Sequence, residues 1–331
     1  MRCSRGWFCL NLLPTREKFS LLGHAHALEG YESRWIAARG VAAPGRRVLR
    51  VLRLPDAWEI TPAADNVLVL DRWTLRGRRV RPAPYYDHAP PSEIGSTDKV
   101  ALGAVPAKPD LAHPKRLVYR TRFHARGVRD AILLIEGETV RGEWAASLNG
   151  KPLRRWKRSH RYDPTNREHG LRGLLRRGAN TLEVVIALRR SSDGLMDPFR
   201  LIGPFRVREG RGVPSIVPPG RLSGAGDWTR KGWPHYSGTM IYAQDFAWIG
   251  TKGARVELAL ERPPREHLVV FLNGRRVGAM LWSPWRLDVT RALRPGRNHL
   301  ELHVTNTLQN FISGRPIPSG LGGLVKLVVS R

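Results

Sequence analysis

An all-β fold built from two tandem antiparallel jelly-roll sandwiches is what this sequence predicts, on three observations. The 33 glycines and 25 prolines of its 331 residues are scattered without period, as turns between many short elements would leave them. Short runs alternate apolar and polar residues as half-buried strands do, and no long helical stripe competes with them. One series of strings also occurs twice in the same order. YRTRF (119–123) matches YAQDF (242–246), SLNG (147–150) matches FLNG (271–274), and LLRRGANTLEVVI (174–186) matches ALRPGRNHLELHV (292–304). Nearly constant spacing between the copies, with one loop absorbing the difference, is the signature of a duplicated unit.

The elements follow in chain order. NVLVLDRWTL (66–75) reads as a strand at an early edge of the first copy, and the proline-rich region from Tyr85 to Pro114 reads as a long surface loop. Asn149-Gly150 and Asn273-Gly274 sit between apolar flanks. Asn-Gly tolerates the positive φ that a type I′ turn needs at both central positions, so each predicts a hairpin. EGRGVPSIVPPGRLSGAGD (209–227) is dense in Gly, Pro and Ser and reads as a linker. Beyond it, VELAL (256–260) alternates cleanly. A short turn of helix is expected around residues 288–293, capped by Asp288 or Thr290 and closed by Pro295 and Gly296. Leu300, Leu302 and Val304 then share the buried face of a closing strand. The expected division is a small β segment at 1–57, a first sandwich at 58–208, the linker at 209–227 and a second, sugar-binding-like sandwich at 228–331.

Charge and cysteine content narrow the classes. Cys3 and Cys9 lie in the first ten residues and cannot staple either sandwich. No segment approaches the roughly twenty apolar residues of a membrane helix, so no membrane partner is expected. MRCSRGWFCLNLLPT has the arginines and apolar run of a signal peptide, but Asn11 interrupts the run and no small-residue cleavage site follows. The net charge of +28 invites a nucleic-acid reading. Arginine outnumbers lysine 47 to 9, however, and is spread through every segment, as a compositional bias would leave it. An acidic polysaccharide would exploit the same charge.

The string MLWSPWRLDVTRALRPGRNHLELHVTNTLQN (280–310) resembles the C-terminal region of large glycoside hydrolases related to family 106 α-L-rhamnosidases. The closing domains of that family resemble the galactose-binding-like jelly roll of family 2 glycosidases. The resemblance extends through KGWPHYSGTMIYAQDF, NVLVLDRWTL, LNGKPL and DPFRLIGPFRV, from roughly Trp58 onward. It implies a sugar-binding fold, a secreted or periplasmic setting, and catalytic carboxylates on a barrel ahead of the sandwiches. With at most about sixty residues before the first sandwich, the expectation is a truncated, non-catalytic accessory portion that binds carbohydrate or buttresses a catalytic glycosidase domain.

Within the chain the search for chemistry is short. Glycoside hydrolysis needs two carboxylates about 5 to 9.5 Å apart. Glu136, Glu138 and Glu143 form the densest acidic group, and strand rise would put the first two about 6.6 Å apart on one face. That pair supports the alternative of a small glycosidase in its own right; an Arg-rich nucleic-acid binder is the other alternative. His299 and His303 share a strand face with Glu301 but lie too far apart, about 13 Å by strand rise, to share a zinc ion. No nucleophile, metalloprotease or nucleotide motif occurs, so no catalytic residue, cofactor or metal ligand is assigned. Calcium held by backbone carbonyls would leave no trace in the sequence. Aromatic residues cluster in the second copy, where indole can stack on the apolar face of a pyranose. Trp233, Trp282 and Trp285, with Asn306 and Asn310 as polar partners, are the expected carbohydrate contacts, for a rhamnose-containing or an acidic polysaccharide.

Overall fold

The computed structural model describes residues 2–3, 6–13, 15–21, 23–28, 33–37, 47–83, 87–88, 115–190, 192–210, 212–262, 266–281, 284–313 and 315–331. Most of the region from Tyr85 to Pro114, expected as a surface loop, lies outside the described residues, and so does Trp282. The chain is all-β. Two small antiparallel units come first: a sheet formed by Arg2–Cys3, Gly6–Leu10 and Ser33–Ala37, and a hairpin of Glu17–Leu21 with His24–Leu28.

Two sandwiches follow, with separate cores. In chain order their main strands begin with β1 (Val48–Arg53), β2 (Glu59–Pro62), β3 (Asn66–Leu70), β4 (Trp73–Leu75) and β5 (Arg78–Val80). Next come β6 (Lys115–Ala125), β7 (Ile132–Ile135), β8 (Glu143–Leu148), β9 (Arg167–Gly170), β10 (Gly178–Leu188), β11 (Phe199–Gly203) and β12 (Ser215–Val217). One sheet of the first sandwich runs β5-β4-β6-β10-β8 and the facing sheet runs β9-β7-β11-β3. Strict alternation on β6 and β10 sends Leu117, Tyr119, Phe123, Leu182, Val184 and Ile186 into the core and leaves the alternate residues outside.

The second sandwich contains β13 (Thr239–Trp248), β14 (Arg255–Leu260), β15 (His267–Leu272), β16 (Arg275–Met280), β17 (Gly296–Thr305), a single helical turn α1 (Gln309–Ile312) and β18 (Val325–Ser330). Its sheets run β2-β13-β17-β15-β16 and β14-β18-β1. Here the pairing departs from the sequence-based division. β1 pairs with β18 and β2 with β13, although both strands precede the first sandwich in the chain. Leu54, Trp58 and Ile60 lie in the second core, and the Arg50 guanidinium sits over the Trp248 ring at 5.4 Å. The boundary expected at residue 58 therefore falls between two strands of the second sandwich, and the first sandwich is inserted between β2 and the rest of it. Nor is 209–227 only a linker. β12 is buried and runs parallel to β6, and Leu222–Ser223 pairs with β2.

The two Asn-Gly hairpins occupy equivalent places, between β8 and Lys151–Pro152 and between β15 and β16. Asn149 and Asn273 both have φ of 55°, and the glycines after them have φ of 81° and 77°. Each asparagine does more than turn the chain. Asn149 Nδ2 donates to Asn180 Oδ1 at 2.8 Å and to the Leu174 carbonyl, while its Oδ1 accepts the Thr181 amide. Asn273 repeats every bond, to Asn298 Oδ1 at 2.9 Å, the Ala292 carbonyl and the His299 amide. Asn180 and Asn298, both fully buried, in turn accept the amides of Arg176 and Arg294 and donate back to the same residues' carbonyls. Buried polar groups must be paired, and this pair of amides satisfies the hairpin and the loop opposite it at once. The expected helix at 288–293 is a single turn whose Thr290 amide donates to Asp288 Oδ1.

The sandwiches meet along the outer face of the β7-β11-β3 sheet. Val67, Val69, Leu134 and Ile202 pack there against Phe311 of α1. Arg200, fully buried, lies 4.6 Å from the centre of the Phe311 ring, donates from Nε to the Phe311 carbonyl and is paired with Asp197 at 2.7 Å and Glu136 at 3.3 Å. Tyr162 also stacks on the phenyl ring, at 3.9 Å.

Candidate functional site

Among the described residues, the expected sugar contacts Trp233, Trp285, Asn306 and Asn310 are not gathered on an open face. Trp233 is 1% exposed and packs edge-to-face on Tyr236 at 5.2 Å within the second core. Asn310 is fully buried, with Nδ2 donating to the Ile317 carbonyl and Oδ1 accepting the Ile317 amide. Asn306 is spent in the same way, donating to the Tyr236 carbonyl and accepting the Gly238 amide. Trp285 is half-buried against the core. Trp228 and Trp233 do lie outside the strands, but both are buried in the second core, where indole fills a large volume. The asparagines pair main-chain groups that no strand reaches.

The carboxylates also part company. Glu136 follows β7 while Glu138 lies in the succeeding turn, so the two do not share a strand face. Each acid has its own arginine: Glu136 with Arg200, Glu138 with Arg141 at 2.9 Å, and Glu143 with Arg189 at 3.0 Å. Burial pushes the Glu136 carboxyl above its usual range, and the Arg200 guanidinium pulls it back. It serves the seam between sandwiches. On β17, His299, Glu301 and His303 form a lateral chain with Asp245, His299 Nδ1 lying 2.8 Å from Asp245 Oδ1 and His303 Nε2 lying 2.9 Å from Glu301 Oε2. No group of acids, histidines and cysteines arranged to hold a metal is present among the described residues.

What the fold does build is a cleft of about 790 Å³ at the edge of the first sandwich, beside the seam. That volume is in the range of small-ligand sites. Its origin lies in how β6 is edged. β4 pairs with it at Tyr119 and Arg120, and β12 at His124 and Ala125. Thr74 Oγ1 donates to the Arg120 carbonyl on this edge, and the His124 amide donates to the Pro214 carbonyl. Main-chain groups point to the same side at every second residue, so the amide and carbonyl of Arg122 face the gap between β4 and β12, with no strand opposite among the described residues.

Side chains complete the cleft. Val69, Trp73, Val80, Pro214 and Pro316 give it an apolar floor, and Pro234 and His235 close the side that belongs to the second sandwich. The rim carries five arginines, at 72, 79, 81, 120 and 122, against two acids, Asp71 and Glu209. Arg120 is held by Glu183 at 2.7 Å and Arg72 lies 4.0 Å from Asp71. Arg79, Arg81 and Arg122 have no ion-pair partner among the described residues. Such a cleft offers apolar surface, a main-chain donor beside a main-chain acceptor, and surplus positive charge. A hydroxyl both donates and accepts, and a guanidinium grips a carboxylate with two parallel bonds, so the chemistry suits a polar, hydroxylated ligand bearing negative charge. Sequence reasoning missed it because the contributing residues lie in six separated segments.

Fold and cleft together define an all-β, two-sandwich protein with a polar, positively rimmed cleft. No protein-family model matches the chain. Over 87 residues it is 36% identical to a protein from Formosa agariphila named "Putative beta-glucuronidase", a match that spans 25% of this chain and 7% of that one. The chain thus corresponds to a small part of that relative's length. Among solved structures it is similar to a rhamnosidase from Novosphingobium sp. PP1Y, at 21% identity over 69% of this chain and 24% of that one, with a TM-score of 0.30. It is similar to an α-L-rhamnosidase from Streptomyces avermitilis at 15% identity, over 90% and 37% of the two chains, with a TM-score of 0.31. A β-glucuronidase from Bifidobacterium dentium aligns at 18% identity over 38% and 28%, with a TM-score of 0.28. Likeness of this order leaves the activities of those enzymes with those enzymes.

Proposed function

We propose that the chain is a non-catalytic, carbohydrate-binding accessory portion of a glycosidase-related protein, and that the cleft beside β6 is its sugar site. The observation that carries this reading is the main-chain edge at Arg122, unpaired among the described residues, above an apolar floor. Pyranose rings present apolar C–H faces and a fringe of hydroxyls, and this surface offers a partner to each. The 87-residue match to a putative β-glucuronidase supports a glycosidase setting. The separate arginine partners of Glu136, Glu138 and Glu143 support a binding role rather than hydrolysis by those acids. No described helix is long and apolar enough to cross a membrane.

The test is calorimetry or affinity electrophoresis with a panel of neutral and acidic polysaccharides. Binding is expected, and Arg79→Ser with Arg81→Ser should weaken it about tenfold, the loss of one to two exposed charge-assisted contacts, at unchanged melting temperature. No interaction with any of the panel by the folded wild-type protein overturns the proposal.

A further inference from the structure

The internal repeat supplies a control for the charge. β6 and β13 are equivalent strands, each long, each paired along its length with the closing strand of its sandwich. On β13 the outward residues are Thr239, Ile241, Ala243, Asp245 and Ala247; on β6 they are Arg116, Val118, Arg120, Arg122 and His124. The fold therefore does not require arginine at these places. Arg116, Arg120 and Arg122 are exposed, and strand rise spaces Arg120 and Arg122 by about 6.6 Å on one face.

The row does not end with the strand. Arg126 follows β6 directly and borders a second cavity, of about 1380 Å³, at the end of the sandwich. Its other charged lining residues are Arg129, Arg172 and Arg177 against a single acid, Asp130, over Val128 and Leu175. None of these four arginines has an ion pair among the described residues. From Arg120 at the cleft to Arg126 is six residues, or about 20 Å of extended strand.

We infer that the cleft, the outer face of β6 and this second cavity form one track for an anionic polysaccharide, whose carboxylates pair with successive arginines. The inference rests on reading the cleft as a carbohydrate site and extends it to a chain of uronic-acid units. Guanidinium groups recognise carboxylates in bidentate fashion, and exposed charges spaced along a strand suit a polymer with regularly repeated anions. Single-stranded nucleic acid calls for exposed aromatic platforms, and among the described residues neither cavity has one, Trp73 being 2% exposed.

The experiment compares polygalacturonate, trigalacturonate, neutral dextran, heparin and duplex DNA on the full chain and on Arg129→Ser with Arg172→Ser, far from the cleft. Polygalacturonate should bind with an affinity that falls as salt rises. The double variant should lose about tenfold for the polymer while keeping its affinity for the trimer and its melting temperature, because a trimer occupies the cleft alone. An unchanged polymer affinity in the variant overturns the track. Tighter binding of heparin assigns the anion as sulfate and overturns the carboxylate, and tighter binding of DNA overturns the polysaccharide. Dextran bound as well as polygalacturonate leaves the cleft standing and removes the track, whereas no binding at all removes both.

Discussion

At the scale of single residues, charge on the two outer sheet faces follows different logics. Around Asp245 it is consumed: the carboxylate accepts from Arg297 and from His299, and these hydrogen bonds, the Arg297 bond foremost, hold its pKa below the usual carboxylate value. A depressed folded pKa contributes stability that is present above the unfolded value and is lost as pH falls through the folded one. The wild-type melting temperature should therefore drop more steeply below about pH 4 than that of Asp245→Asn, with the two curves converging at the acid end. Because the group is exposed, the difference will be small and will shrink with added salt. Equal slopes for the two proteins in thermal melts taken from pH 2 to 6 would show that the pairing does not persist in solution. Around Arg122, by contrast, no ion pair among the described residues consumes the charge of that guanidinium, which leaves it free for a ligand on that side of the molecule and not on this one.

At the scale of elements, the paired Asn-Gly hairpins show what a local signal can and cannot say. Two adjacent residues that accept positive φ announce a turn in the sequence, because a turn is decided within four residues. The second role of Asn149 and Asn273, the amide-to-amide bond to Asn180 and Asn298, was not legible, since it needs the register of strands 25 or more residues apart. Yet the GAN and GRN strings that supply those partners were among the matches that revealed the repeat. Asn149→Gly and Asn273→Gly keep the turn and remove the bonds. Each should cost about 1–3 kcal/mol in urea unfolding, the net worth of the hydrogen bonds that are lost. Removing Asn180 as well as Asn149 should cost less than the sum of the single changes, since the two share one bond. A fully additive pair would mean that the network is not cooperative. β1 is the opposite case. VLRVLR exposes Val48 and Val51 at 53% and 46%, has no alternating burial, and becomes a strand only because Val325–Ser330 lies beside it.

At the scale of the whole molecule, the sequence read as two units in series because periodicity and motif spacing carry no information about which distant strand completes which sheet. Sandwich number, strand types and both hairpins were legible. The insertion was not, since β1 and β2 pair with strands some 180 to 280 residues away, and neither was the cleft, whose arginines are dispersed along the chain until β6 collects them. The insertion has a testable thermodynamic consequence. Residues 66–217 contain the first core and all its strands, apart from the contacts with Phe311, so that fragment should fold alone with a cooperative melt. A fragment of residues 222–331 lacks β1, β2 and the buried side chains of Leu54, Trp58 and Ile60, and leaves the edges of β13 and β18 unpaired. Deleting one large buried side chain costs about 2–5 kcal/mol, and a whole domain holds only about 5–15, so losing three together with two strands exceeds what the fragment can bear. It should show no cooperative transition by circular dichroism and should be cut rapidly by protease. Adding residues 47–65 through a short flexible linker should restore both the transition and the resistance, because those residues would again cover the open edges. Cooperative folding of 222–331 without them would mean that the N-terminal strands only decorate a complete sandwich, and would return the molecule to two units in series.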